Sequence, residues 1–175
     1  MVAMITVAEL AAEVASLRLR VEASESVLAI QALKATYGEL VDRRFSAGAV
    51  VDPATLAQVA DRVAALFTSD GTWDGGPGLG SATGREAIAS RLCQTTLTFS
   101  RHFFVNPRID VDGEAATARW DVLSPCRRPD GTSYWMSGYE DDVYARTDGI
   151  WLHRSMKLTT VFMTPVGEGW TKVLV

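Results

Sequence analysis

After residue 100 the hydrophobic pattern has a period of two, interrupted by three short turns: Asp112-Gly113, Pro129-Asp130-Gly131-Thr132 and Asp148-Gly149. Such Asp-Gly pairs supply the positive φ that tight hairpins require. The runs between them, residues 108–111, 115–124, 134–146 and 150–164, therefore read as an antiparallel meander. Ahead of residue 100 the spacing is helical. Apolar residues recur at Leu10, Val14, Leu17 and Val21, and again at Leu56, Val59, Val63 and Leu66. Helices first and strands after predict an α+β protein rather than an alternating α/β one. A curved antiparallel sheet wrapped by N-terminal helices makes a cone, or α+β barrel, with an apolar interior.

Ser24 and Ser26 interrupt the first helical pattern and can cap a second helix over residues 27–45. This divides the chain into a helical extension, residues 1–24, and a barrel domain, residues 25–175. Asp52-Pro53 opens a further helix, proline being well tolerated in the first turn. Asp70-Gly71 leads into a short strand around Trp73. The stretch Gly75-Gly76-Pro77-Gly78-Leu79-Gly80 lacks the Gly-Lys-Ser/Thr ending of a phosphate loop. It reads as a mobile loop before a helix that Thr83-Gly84-Arg85-Glu86 caps and that runs to about Leu97.

At 175 residues the chain fits one domain with room for a core and a pocket. Its net charge is −4 and it has no run rich in Lys or Arg, which argues against nucleic acid or an anionic membrane as partner. The N-terminal ten residues lack a signal-peptide pattern, and no 18-residue apolar run is present. Cys93 and Cys126 form no CxxC pair, so two free thiols in a reduced, cytoplasmic setting are expected. With no HExxH and no ligand cluster, neither a metal nor an organic cofactor is expected.

The chemistry-bearing residues are few. His102 and His153 are the only histidines. Imidazole titrates near neutral pH, so His102 can take and return a proton. Asp42 can orient and polarise that ring, or lie in a surface ion pair with the neighbouring Arg43 and Arg44. Tyr37 can donate to a developing oxyanion, or pack in the core. Five residues apart on a helix, Tyr37 and Asp42 differ by about 140° in direction, so convergence needs the helix to bend, to end, or to present both edges to the cavity. Trp73, Phe67, Phe104, Trp120 and Tyr139 could wall a pocket for a flat apolar ligand. His153 is expected on the outer face or at an interface. Asp141 and Asp142, adjacent on a strand, point to opposite faces and cannot form a carboxylate dyad.

Several segments in order resemble SnoaL-like proteins of the nuclear-transport-factor-two-like superfamily. They are residues 30–42, Leu66-Phe67-Thr68-Ser69-Asp70-Gly71-Thr72-Trp73, Gly84-Arg85-Glu86-Ala87-Ile88, His102-Phe103 and Asn106-Pro107-Arg108-Ile109. Asp112-Gly113-Glu114, Gly138-Tyr139-Glu140-Asp141, Arg146-Thr147-Asp148-Gly149-Ile150-Trp151 and the tail Thr164-Pro165-Val166-Gly167-Glu168-Gly169-Trp170 continue the series. The resemblance spans residues 27–170. It implies a cone fold and kinship with polyketide cyclases, scytalone and bile-acid dehydratases, ketosteroid isomerase and a dehydrochlorinase of chlorinated cyclohexanes.

By that resemblance Asp42 and His102 match a helix aspartate and a central histidine, Tyr37 a tyrosine of some members, and Trp73 a pocket tryptophan. The arginine that several relatives carry on the last strand falls near Met156, with Arg154 and Lys157 beside it. The expected activity is a cofactor-independent lyase, isomerase or cyclase acting on a small apolar metabolite, polycyclic or polyketide- or terpenoid-like. The expected assembly is a homo-oligomer, dimer or trimer. The rival expectation is a ligand-binding module, or a structural subunit resembling the small subunit of aromatic-ring dioxygenases.

Overall fold

The computed structural model describes residues 5–167; the tail residues Glu168, Gly169 and Trp170 of the resemblance lie outside them. The chain opens with one 36-residue helix, α1 (Val7–Asp42), not with two. Ser24 does not break it, because the Ser24 hydroxyl bonds back to the Arg20 carbonyl at 2.9 Å and is satisfied within the helix. Thr6 is the N-cap and forms a capping box with Glu9. Residues 5–25 are exposed, and burial starts at Ser26. From there Ile30, Leu33, Lys34, Tyr37, Gly38, Leu40 and Val41 form the inward stripe.

A two-strand ribbon, β1 (Phe45–Ser46) and β2 (Ala49–Val50), leads to α2 (Pro53–Ala64), which the Asp52 carboxylate caps through the amides of Ala54 and Thr55. Then come β3 (Phe67–Asp74), β4 (Ser81–Thr83) and α3 (Arg85–Cys93). The expected Thr83 cap is not made. Thr83 pairs with Thr72 in the sheet, and Gly84, at φ 84°, takes the N-cap with no side-chain bond. α3 ends four residues earlier than the pattern suggested.

The remaining strands are β5 (Phe99–Ser100), β6 (Phe103–Asp112), β7 (Ala115–Arg127), β8 (Ser133–Thr147) and β9 (Ile150–Pro165). They join β3 and β4 in a seven-stranded curved sheet of order β4-β3-β9-β8-β7-β5, with β6 also on β7, and the sheet does not close. The α+β cone is as expected, with two refinements. β3 pairs with β9 in parallel, so the sheet is mixed. β6 begins five residues before the expected strand and crosses an irregularity between Val105 and Arg108, where Asn106 has φ 51°.

Two apolar clusters fill the cone. One packs α1 against α2, α3 and β3 through Val41, Val63, Phe67 and Ile88. The other packs α1 against β7–β9 through Ile30, Leu33, Trp120, Tyr144 and Trp151.

Candidate active site

Asp42 is the last residue of α1, where the chain turns away and leaves its carboxylate facing the start of β6. Arg43 pairs instead with Glu39, and Arg44 donates to the Val41 and Leu92 carbonyls. The Asp42 carboxylate accepts the His102 backbone amide at 3.1 and 3.2 Å and meets His102 Nδ1 at 2.7 Å. Arg101 Nε lies 3.5 Å from the other carboxylate oxygen. A carboxylate here selects the Nδ1–H tautomer, which leaves Nε2 with a free lone pair. Among the described residues Nε2 has no protein partner. The imidazole stacks on Phe104, with centroids 5.9 Å apart and planes 13° apart.

His102 lines a cavity of about 190 Å³ at the mouth of the cone. Its walls come from the β3–β4 loop, the end of α3 with the loop after it, and the ends of β7, β8 and β9, with Trp73, Leu79, Leu92, Leu97, Met136 and Leu158 as apolar surface. The Gly-rich stretch expected to be a mobile loop is thus part of the wall. A Cβ on Gly75 would lie 2.5 Å from the Trp73 ring and 2.6 Å from Leu79, so only glycine lets the loop close over the indole. His102 also borders a groove between α1 and β6, together with Lys34, Gly38, Asp42, Phe104 and Trp120.

The other sequence candidates separate. Trp73 lines the cavity. Tyr37 sits behind it, its hydroxyl accepting Trp73 Nε1–H at 3.0 Å. Burial, reinforced by the Glu140 charge, pushes the Tyr37 phenol well above its ordinary pKa, so it keeps its proton and acts as a hydrogen-bond group rather than an anion. Phe104 and Trp120 belong to the groove.

Phe67 is fully buried, in core contact with Tyr37 and His153, and so does not reach the cavity as expected. Tyr139 shares the outer face of β8 with Asp141 and lies under the Arg119 guanidinium at 4.4 Å, away from the cavity, because strand alternation sends Glu140 and Asp142 inward instead. His153 also departs from expectation. The face it shares with Trp151 is the inner one, and it is completely buried between Phe67, Tyr144 and Tyr37. Burial, then the nearby Lys34 charge, holds it far below the usual imidazole pKa, and neutral.

A buried polar network escaped the sequence reading. Lys34 Nζ pairs with Glu140, and with Asp142 at 2.7 Å. Tyr144 OH donates to Asp142 at 2.6 Å, and Trp120 Nε1–H donates to Tyr144 OH at 3.1 Å. Lys34 also lies 4.3 Å over the Phe104 ring. Burial works against the Lys34 charge, but Glu140 and Asp142 outweigh it and raise its pKa. Burial pushes Asp142 up to about 6 despite Lys34. The signal was available: Lys34 falls on the Ile30–Tyr37–Val41 stripe, and Glu140 and Asp142 are two apart on a strand. Among the described residues no three His, Cys, Asp or Glu side chains converge as a metal-ligand set, and no helix is long and apolar enough to cross a membrane.

Comparison with known proteins places this geometry. The SnoaL-like domain model matches residues 22–157. Among solved structures, a type 2 hexachlorocyclohexane dehydrochlorinase (LinA) is similar with a TM-score of 0.67 at 20% identity, over 83% of this chain and 92% of its own. A scytalone dehydratase candidate from Novosphingobium aromaticivorans gives 0.63 at 24%, over 82% and 95%. A Mycobacterium tuberculosis protein of unknown function gives 0.60 at 24%, over 77% and 76%. No curated protein matches. These likenesses support the fold, and the domain match covers most of the chain: the protein belongs to the SnoaL-like family.

Proposed function

We propose that the protein is a cofactor-independent acid–base enzyme of the dehydratase, dehydrochlorinase, cyclase or isomerase type, acting on a small apolar metabolite in the His102 cavity. The observation that carries this reading is the 2.7 Å contact between His102 Nδ1 and Asp42 at the wall of a largely apolar cavity. A purely structural subunit has no need of a polarised imidazole whose second nitrogen is free. In the proposed reaction His102 Nε2 takes a proton from a substrate carbon. The released electron pair forms the new double bond, and the leaving group departs with its own bonding pair, or the proton returns at another carbon. Asp42 stabilises the imidazolium that forms. Tyr37 is proposed to act through Trp73, fixing the indole that faces the substrate. The two free thiols suit a reducing, cytoplasmic setting.

The test does not require the natural leaving group. Bicyclic ketones such as 2-tetralone are incubated in deuterated water and exchange next to the carbonyl is followed by NMR. The protein should accelerate exchange, and His102→Ala should abolish the acceleration, a loss on the order of 10²-fold or more. Asp42→Asn should weaken it strongly, with both variants folded by circular dichroism. Exchange by His102→Ala at the wild-type rate would refute the reading.

A further inference from the structure

The charged residues lining the cavity are of one sign only. Arg44, Arg91 and Arg128 line it, and no Asp or Glu does. None of the three forms an ion pair with a carboxylate of the described residues. Arg44 is the best positioned. Its Nε donates to the Val41 carbonyl at 2.9 Å and its Nη1 to the Leu92 carbonyl at 3.3 Å, which fixes the guanidinium plane and leaves Nη2 without a protein partner. Burial lowers its pKa and the like charge of Arg91 adds to that, while the Asp42 charge opposes both. Arginine nevertheless remains protonated, so a fixed, half-desolvated cation without an ion-pair partner among the described residues lines the cavity. Two residues before the catalytic candidate, Ser100 is 3% exposed and its hydroxyl has no hydrogen-bond partner. It lines the same cavity.

We infer that the ligand of this cavity is an apolar molecule bearing one carboxylate, seated on Arg44 Nη2 and Ser100 Oγ with its apolar body between Trp73, Leu79 and Leu158. Two donors match the two oxygens of a carboxylate. Arg91 Nη1, already committed to the Gln94 carbonyl at 2.8 Å, adds long-range attraction. This inference rests on the reading of the cavity as the reaction site and narrows the substrate to acids. The carboxylate would hold the molecule at the Arg44 end while His102 meets a carbon of the ring or chain.

Titration calorimetry at about pH 7.5 with 2-naphthoate and its neutral isostere 2-naphthamide tests the inference. The wild type should bind the acid roughly 10-fold or more tightly than the amide. Arg44→Met and Ser100→Ala should each weaken acid binding roughly 10-fold while leaving the amide within about 3-fold. Arg44 also holds the end of α3, so if Arg44→Met fails to fold, Ser100→Ala and Arg44→Lys decide. Equal binding of acid and amide, binding of neither, or an acid preference that survives in every folded variant would each overturn it. NMR of the His102 ring in the same titrations separates this inference from the reading beneath it. Arg44-dependent binding of the acid without movement of the His102 signals keeps the anion site and removes the proposed proton transfer. Movement by acid and amide alike does the reverse.

Discussion

Tyr37 and Gly38 show how two neighbouring residues serve one side chain each. The Tyr37 hydroxyl is the only described partner of Trp73 Nε1. Tyr37→Phe therefore orphans a buried indole N–H, which costs about 1–3 kcal/mol of stability. If Tyr37 acts by fixing Trp73, the rate should fall by no more than roughly 10-fold; a direct oxyanion donor would cost up to about 10³-fold. Thermal midpoint and single-turnover rate on one preparation distinguish these outcomes. Gly38 lies in the middle of a helix, where alanine is normally better by about 1 kcal/mol. Here an added Cβ would sit 3.1 Å from Phe104 Cε2, and Phe104 stacks on His102. Gly38→Ala should leave stability within about 1 kcal/mol, since the helix gains what packing loses. It should lower the exchange rate several-fold by tilting the imidazole from Asp42. A rate equal to that of the wild type would show that Phe104 does not position His102.

Among the elements, period two located the ends of β7, β8 and β9 to within a few residues, because repeated Asp-Gly turns leave little choice of register. The same rule sent Asp141 out to Arg119 and Asp142 in to Lys34. It also held the answer for His153, which shares the parity of buried Trp151; only knowledge of which face is inward was missing. Ser24 does not mark a join within α1, since serine signals a cap only when its hydroxyl cannot be satisfied by the preceding turn. The Asp42–His102 contact spans 60 positions and depends on where α1 stops, which no local pattern fixes.

The α1–β8 network makes its own pH prediction. Asp142 holds its proton more tightly folded than unfolded, with its folded pKa near 6. The stability this contributes is complete below the unfolded value of about 3.9 and is lost as pH rises through about 6. Asp142→Asn removes the titration, so the difference in thermal midpoint should move in the variant's favour between about pH 4.5 and 7.5. A difference that stays constant over that range would mean that Asp142 does not titrate within it.

For the molecule as a whole, the open question is the first half of α1. The family match begins at residue 22, yet the helix starts at Val7. Arg146 holds its base through Glu22 at 3.1 Å. Beyond that point, Leu10, Val14, Leu17 and Val21 remain between 40% and 55% exposed, and Leu28 continues the series at 64%. The steps of four, three, four and seven residues are those of a coiled-coil seam. A helix of about 15 residues without tertiary contacts is marginal in water, so a continuous one implies a covering surface. A seam of this kind is self-complementary, and we propose that a second copy supplies the cover, giving a homo-oligomer joined through α1. Light scattering at micromolar concentration should give a multiple of 19.0 kDa. Leu10→Glu with Leu17→Glu should reduce the mass to one chain and leave the exchange activity intact, because neither residue touches the cavity or the groove. A wild-type monomer would refute the assembly. An oligomer unchanged by the double variant would place its interface elsewhere than the α1 seam.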